Sequence, residues 1–169
     1  MEFKELIKKR VSIRRYKDTL VEPEKVEALI KALALAPSSA NRQEWKFVAV
    51  TDEEILKKLT LAAESRPPIS EAPLVFCIVS TENINVNDGG LNKGTIDGAI
   101  ASTYLHLAAL DIGLGSCWVG SFNQQLAAEA INLPNGYVIV SLFAVGYPDE
   151  NPSPRSRKDA DDLAVFNKF

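Results

Sequence analysis

A chain of 169 residues is long enough for one domain with a substantial core, and 46% hydrophobic with 24% charged residues is the balance of an ordinary soluble globular protein. A net charge of -3 and a pI near 5.3 exclude a general attraction to nucleic acid or to an anionic membrane surface. No apolar run approaches the ~20 residues a spanning helix needs, and MEFKELIKKR holds no apolar leader, so a soluble, cytoplasmic protein is expected.

In chain order, residues 2–9 read as a short amphipathic helix with Phe3, Leu6 and Ile7 on one side. Glu22-Pro23-Glu24 marks the next helix start, and Val26, Leu29, Ile30, Leu33 and Ala34 keep the period until Pro37 stops it. A loop from Pro37 to Glu44 precedes a strand from Trp45 to Val50. Thr51 or Asp52 caps a helix carrying Ile55, Leu56, Leu59 and Ala62, and Pro67 with Pro68 breaks that pattern. Leu74 to Ser80 is a buried strand by length and apolarity. Residues 82–94 form a polar Asn/Gly-rich loop, mobile by composition and long enough to lie over a site.

The longest apolar period starts at Thr95. Ile96, Ala99, Ile100, Thr103, Tyr104, Leu107, Ala108 and Leu110 follow the i, i+3, i+4, i+7 rule, and Ala101, Leu105, Ala109 and Ile112 add a second apolar side. Such a helix needs cover nearly all round, which points to a partner subunit. Gly113 and Gly115 end it; Cys117 to Gly120 reads as a short strand, Asn123 or Gln124 starts a helix through Ile131, and Tyr137 to Val145 is the longest strand. Residues 147–162 are proline-rich, charged and aperiodic, yet the chain ends on Leu163, Ala164, Val165, Phe166 and Phe169. That ending predicts an extended arm that docks, with another subunit as one seat for it. Helices and strands mix without strict alternation, so the fold class is α+β: a mixed central sheet flanked by helices, in a single domain over residues 1–169 with its arm at 147–169.

Chemistry gathers in three places. Lys8, Lys9, Arg10, Arg14, Arg15 and Lys17, and again Arg155, Arg157 and Lys158, concentrate positive charge in an acidic chain, which suggests a bound small anion. By itself, Arg10-Val11-Ser12-Ile13-Arg14-Arg15 also reads as a solvated basic face. Pro37-Ser38-Ser39-Ala40-Asn41-Arg42-Gln43-Glu44 is dense in hydroxyl and amide groups suited to a polar heterocycle, and equally in turn residues. Glycines 113 and 115 follow a helix and precede a strand, the reverse of a dinucleotide-binding turn, but with Gly120 they let a planar ligand lie close to backbone. Cys77 and Cys117 lack metal-ligand spacing and read as buried reduced thiols, and His106 as a satisfied core or interface residue.

RVSIRRY near the N-terminus, APSSANRQEWKFVAV after the second helix, DGAIASTYLHLAALDIGLGSCWVGSF and FAVGYP together resemble, in order and spacing, the nitroreductase family of flavoproteins. The resemblance covers nearly the whole chain. It implies a homodimer with FMN at the subunit interface, NADH or NADPH as electron donor, and ping-pong reduction of an electron-poor small molecule such as a nitroaromatic or quinone. It implies cofactor contacts from Arg10, Val11, Ser12 and Arg14, from Pro37, Ser38, Ser39, Asn41 and Gln43 of the other subunit, and from Arg155 and Arg157 at the phosphate. A backbone N–H near flavin N5 falls at Gly120 or Ser121, and Arg14 is the implied cation at the pyrimidine edge; these three are the implied catalytic set, with no metal.

Departures from the family pattern are visible. Glu44 replaces a usual proline, Gly120-Ser121 replaces an acid-glycine or glycine-glycine pair, and Arg66 stands in for missing asparagine and lysine near the pyrimidine. The short 80–95 segment predicts an open or partner-covered pocket. A non-catalytic FMN-binding protein for storage or sensing, and a reductive-dehalogenase-like or flavin-destroying relative, remain as alternatives.

Overall fold

The computed structural model describes residues 1–82, 86–87 and 89–168. In chain order the helices and strands are α1 (Phe3–Lys9), α2 (Pro23–Ala34), β1 (Trp45–Val50), α3 (Glu53–Ala62), α4 (Pro67–Ser70), β2 (Leu74–Ser80), α5 (Lys93–Asp111), β3 (Gly115–Val119), α6 (Gln124–Ala130) and β4 (Val138–Gly146). Phe169 of the expected arm, and residues 83–85 and 88 of the expected 82–94 loop, lie outside the described residues.

Strand β2 is buried along its whole length, and its alternating side chains feed two cores. Val75, Cys77 and Val79 pack with Leu59 and Ala62 of α3, Ile69 of α4, and Ala127 and Ala130 of α6. Leu74, Phe76 and Ile78 pack with Leu29 and Leu33 of α2 and with Ala101, Leu105 and Ala109 of α5. The result is three layers, helices on both faces of one sheet, in the strand order β1-β2-β4-β3.

All three strand pairings are antiparallel, which corrects the expected mixed sheet. The reason lies at Pro67 and Pro68. Rather than only ending a helix, they open α4, because proline at a first helical position loses no hydrogen bond. The chain therefore leaves β1 along α3 and returns through residues 63–73, so that β2 begins beside the end of β1, with Val50 opposite Val75. A single helical leg would have made the pair parallel.

Element ends move for local reasons too. Asn92 caps α5, its side-chain oxygen accepting from Thr95 N–H at 2.8 Å, so the helix starts at Lys93, before the expected Thr95. Gly113, at φ +80°, makes the turn that lets β3 begin at Gly115, before the expected Cys117. Asp52 is the cap of α3, accepting from Ile55 N–H. In the 82–94 segment, Val86 bridges Asn92 around a turn closed by the Asn87 side chain, which accepts from Gly89 and Leu91 N–H. Among the described residues, no helix is long and apolar enough to cross a membrane.

Helix α5 lies on the sheet through small residues. Gly94, Gly98, Ala101 and Ser102 are buried, and a β-bulge in β4 at Val140, opposite the step from Ile78 to Val79, turns Val140 and Ser141 toward it. Ser102 Oγ donates to Gly98 O at 2.8 Å, so the Ser141 hydroxyl is the donor in the 3.1 Å contact between the two serines. Only one stripe of α5 is buried in this chain: Ile96 is 38% and Tyr104 39% exposed.

A Cβ at Gly98 would stand 2.8 Å from Val140 Cγ2 and 3.1 Å from its Cβ. Gly98→Ala gains about 1 kcal/mol of helix propensity, but valine cannot rotate out of the way, and the overpacking costs more. We expect a net loss of ~1–2 kcal/mol in urea unfolding, partly recovered by adding Val140→Ala. A more stable Gly98→Ala variant would contradict this close packing.

Candidate functional site

Residues 11–17 run as an extra edge beside the sheet. Ile13 N–H donates to Ser116 O of β3 at 3.0 Å, and a Cβ at Gly115 would stand 2.8 Å from Ile13 Cγ1, so only glycine admits so close an approach there. On the other side, Lys17 N–H donates to Tyr147 O and Asp149 N–H to Arg15 O, each at 2.9 Å. The start of the expected arm thus docks on the N-terminal segment of its own chain. Beyond it, Leu163, Val165 and Phe166 are 67%, 58% and 87% exposed.

This arrangement folds residues 152–157 back over residues 10–14. Between them lies a hollow of about 180 Å³ lined by Arg10, Val11, Ser12, Arg14, Pro152, Ser153, Arg155 and Arg157. Among the described residues, none of the four guanidiniums pairs with a carboxylate. Their acceptors are neutral: Ser12 O for Arg14, and Arg155 O and Ser156 O for Arg157. Partial burial, and after it the charge of Arg157, pushes the Arg10 guanidinium below its usual pKa. Four crowded cations whose guanidiniums pair with no carboxylate among the described residues form a site for a compact, multiply charged anion.

Arg10 has one further partner. Its Nη1 lies 2.9 Å from His106 Nε2, and His106 Nδ1 lies 2.5 Å from Ser116 Oγ. Arginine only donates, so Nε2 accepts and the ring proton sits on Nδ1, donated to Ser116. Desolvation, then the Arg10 charge, lowers the His106 pKa to about 4. His106 is thus a satisfied residue, as expected, but its partner Arg10 leaves no sign in the sequence. Ten residues and a helix-to-strand turn separate it from Ser116, and no local pattern marks such a pair.

The serine-rich loop is built elsewhere. Ser39 N–H donates to both carboxylate oxygens of the buried Asp97 at 3.1 Å, and Gln43 N–H to Ser38 Oγ at 3.0 Å. These bonds hold Ala40, Asn41 and Gln43 in left-handed conformations, φ 51°, 55° and 54°. Gln43 Nε2 donates to Asn41, and Glu44 pairs with Arg42 at 2.9 Å. Asp97, a buried carboxylate in the first turns of α5, is what anchors this loop. Neither Pro37–Gln43 nor the exposed Gly120 and Ser121 line the arginine hollow of the same chain, and Arg66 pairs with Glu64 at 2.7 Å. Larger hollows of about 670 and 650 Å³, beside α3 and beside α2, contain none of the expected site residues.

Three comparisons bear on this geometry. The family model for the Nitroreductase family matches residues 7–99 and 62–147. The chain belongs to the nitroreductase family. A Methanothermobacter thermautotrophicus protein, provisionally named an NADH dehydrogenase/NAD(P)H nitroreductase, is 30% identical over 165 residues, covering 95% of this chain and 85% of that one. A nitroreductase family protein from Clostridium difficile superposes with a TM-score of 0.90 at 28% identity over the full length of both chains. A second solved structure from Clostridium difficile, described as an FMN-dependent nitroreductase, gives 0.81 at 32% identity, covering 97% of this chain and 98% of that one.

In this nitroreductase-family chain the His106 ring supplies a stability term of known sign. Between about pH 4 and its ordinary value of 6.5, the unfolded chain binds a proton there that the folded protein does not. Stability should therefore fall as pH drops through that window and level off below it, by on the order of 2 kcal/mol after discounting for partial exposure. Urea titrations at pH 7, 5.5 and 4 should show this slope, and it should be smaller in His106→Gln. An identical slope in both proteins would rule out a neutral, desolvated ring.

Proposed function

We infer that this chain is an FMN-dependent NAD(P)H oxidoreductase acting on an electron-poor small molecule such as a nitroaromatic or quinone. The observation that carries the reading is the hollow of four arginines without a carboxylate, built from Arg10–Arg14 and residues 152–157 in a nitroreductase-family chain. The chemistry of its lining fits a phosphomonoester dianion: guanidinium forks, with Ser12 and Ser153 beside them and no acidic residue among those that line it. The names of the relatives, an NAD(P)H nitroreductase and an FMN-dependent nitroreductase, support the same cofactor and donor. Reduced nicotinamide is an intracellular reagent, so a cytoplasmic location goes with this reading.

When bound, FMN supplies the redox chemistry, taking a hydride from reduced nicotinamide and passing it on to the acceptor. The chain binds, orients and polarises. Arg10, Arg155 and Arg157 hold the phosphate, with Arg10 half-buried. Arg14, exposed at the rim, is left to favour negative charge at the pyrimidine edge of the ring. The exposed Gly120 and Ser121 offer backbone N–H groups to the N5 edge. No side chain has to act as a nucleophile.

The other half of the site comes from a second copy. Asp97, which holds the serine loop, and His106, which touches Arg10, are nine residues apart on α5, about 14 Å along its axis. Two α5 helices packed antiparallel about a two-fold axis would bring the serine loop of one copy toward the arginine hollow of the other. The exposed stripe of Ile96 and Tyr104 on α5 supports that packing, and Pro37, Ser38, Ser39, Asn41 and Gln43 then complete the flavin site.

Purified protein should be yellow or turn yellow with added FMN, and NADH or NADPH should bleach it in the absence of oxygen. Failure to take up FMN would overturn the reading; a yellow protein that neither nucleotide bleaches would make it a binding protein without turnover. Arg155→Ala with Arg157→Ala should weaken FMN binding by ~10- to 100-fold, as loss of charge-assisted hydrogen bonds predicts. Light scattering should give a dimer mass, and a monomer that binds FMN tightly would contradict the shared site.

A further inference from the structure

A cation that must receive a phosphate is best fixed by a group that holds it without cancelling its charge. A carboxylate beside Arg10 would fix the guanidinium but compete with the ligand; nothing beside it would leave Arg10 to swing away from Arg157, whose charge repels it. His106 is the intermediate solution. Its Nε2 accepts from Arg10 Nη1, its Nδ1–H is anchored on the buried Ser116 hydroxyl, and its ring stands edge-on to Phe143 with centroids 5.4 Å apart. The Ser116 carbonyl accepts from Ile13 N–H, so β3 grips the Arg10–Arg14 segment twice, once by backbone and once through the imidazole.

We propose that His106 is a positioning residue for cofactor binding: as the Nδ1–H tautomer bridging Ser116 and Arg10, it presets the Arg10 guanidinium to receive the FMN phosphate. This rests on the FMN reading above. Arg10 uses one nitrogen on the imidazole and keeps the rest of its fork for the ligand. Lys9 and Glu150 line the neighbouring hollow with His106 and Arg10; among the described residues neither bonds to the ring, and its polar partner on the ligand side is Arg10. The preset guanidinium loses less rotamer freedom on binding, which is where the affinity gain arises.

The test compares FMN with riboflavin, which has the same ring and no phosphate, by quenching of flavin fluorescence. His106→Phe keeps the shape and loses both bonds. His106→Asn keeps a donor toward Ser116 and loses the acceptor, while His106→Gln places an oxygen where Nε2 stood. The Phe and Asn variants should lose about tenfold in FMN affinity with riboflavin unchanged, and Gln should stay within roughly threefold of wild type. In an Arg10→Ala background, His106→Phe should have no further effect. Equal losses for FMN and riboflavin would make His106 a packing residue and overturn the proposal, as would a His106→Phe variant that binds FMN like wild type. If wild type takes up no FMN, the FMN reading fails and this inference with it. If wild type binds FMN and Arg10→Ala weakens it while the His106 variants do not, only this inference fails.

Discussion

The close approach of α5 to the sheet is the constraint from which the rest follows. A helix can lie this near a strand only where its facing residues are small, and Gly94, Gly98, Ala101 and Ser102 supply that surface. At Gly94 a side chain would collide with Ser80 Oγ and the Glu82 carbonyl, and at Gly98 with Val140. The bulge in β4 is the matching feature, since it turns two successive residues to one face and gives α5 both an apolar contact at Val140 and a hydrogen bond at Ser141. Once α5 is seated, Asp97 is in reach of the Ser39 N–H, and His106 in reach of Arg10 and Ser116. The two segments that the sequence marks as chemical are both tied to one helix.

Electrostatically, the molecule keeps a local positive field inside an acidic chain by a choice of acceptors. Several surface lysines and arginines elsewhere pair with carboxylates, as Lys31 does with Glu27, Lys57 with Glu53, and Arg66 with Glu64. Those exposed pairs contribute little to stability. Around the hollow, backbone carbonyls and a neutral imidazole take the place of acids, so hydrogen bonds orient the guanidiniums while their charge remains for a ligand. Glu150, an acid beside this region, is engaged by the backbone N–H of Arg14 rather than by its guanidinium.

Elements defined by local chemistry were legible in the sequence. Strand β2 is an unbroken apolar run between Pro73 and Thr81, α2 carries proline at its start, and Asp52 and Asn123 both act as the caps their side chains suggest. What depends on two distant segments was not. The strand directions turn on whether Pro67 stops a helix or starts one, and proline does both. The site shows the same division. The two arginine clusters stand out by composition, but only the family resemblance joins Arg10 and Arg14 to Arg155 and Arg157 across nearly the whole chain. His106 sits in LHLAAL, where its neighbours conceal it; its role depends on a strand that begins after the turn at Gly113. Asp97 fails to stand out for the same reason, because its partner is a backbone N–H and leaves no trace in residue type.

The length of α5 also bears on the proposed pairing of two chains. Its buried stripe is satisfied within the chain, but its apolar residues run past that stripe to the exposed Ile96 and Tyr104, which a second copy would cover. The hollow shows a parallel shortage: at about 180 Å³ it accommodates a phosphate and its nearest neighbours but not a three-ring heterocycle. The hollow meets that helix through the Arg10–His106 contact, so under the two-fold packing proposed above one interface would remove both deficits. Cofactor retention and subunit association would then be linked equilibria, each stabilising the other, because a ligand that binds only the assembled form shifts assembly by its own binding free energy.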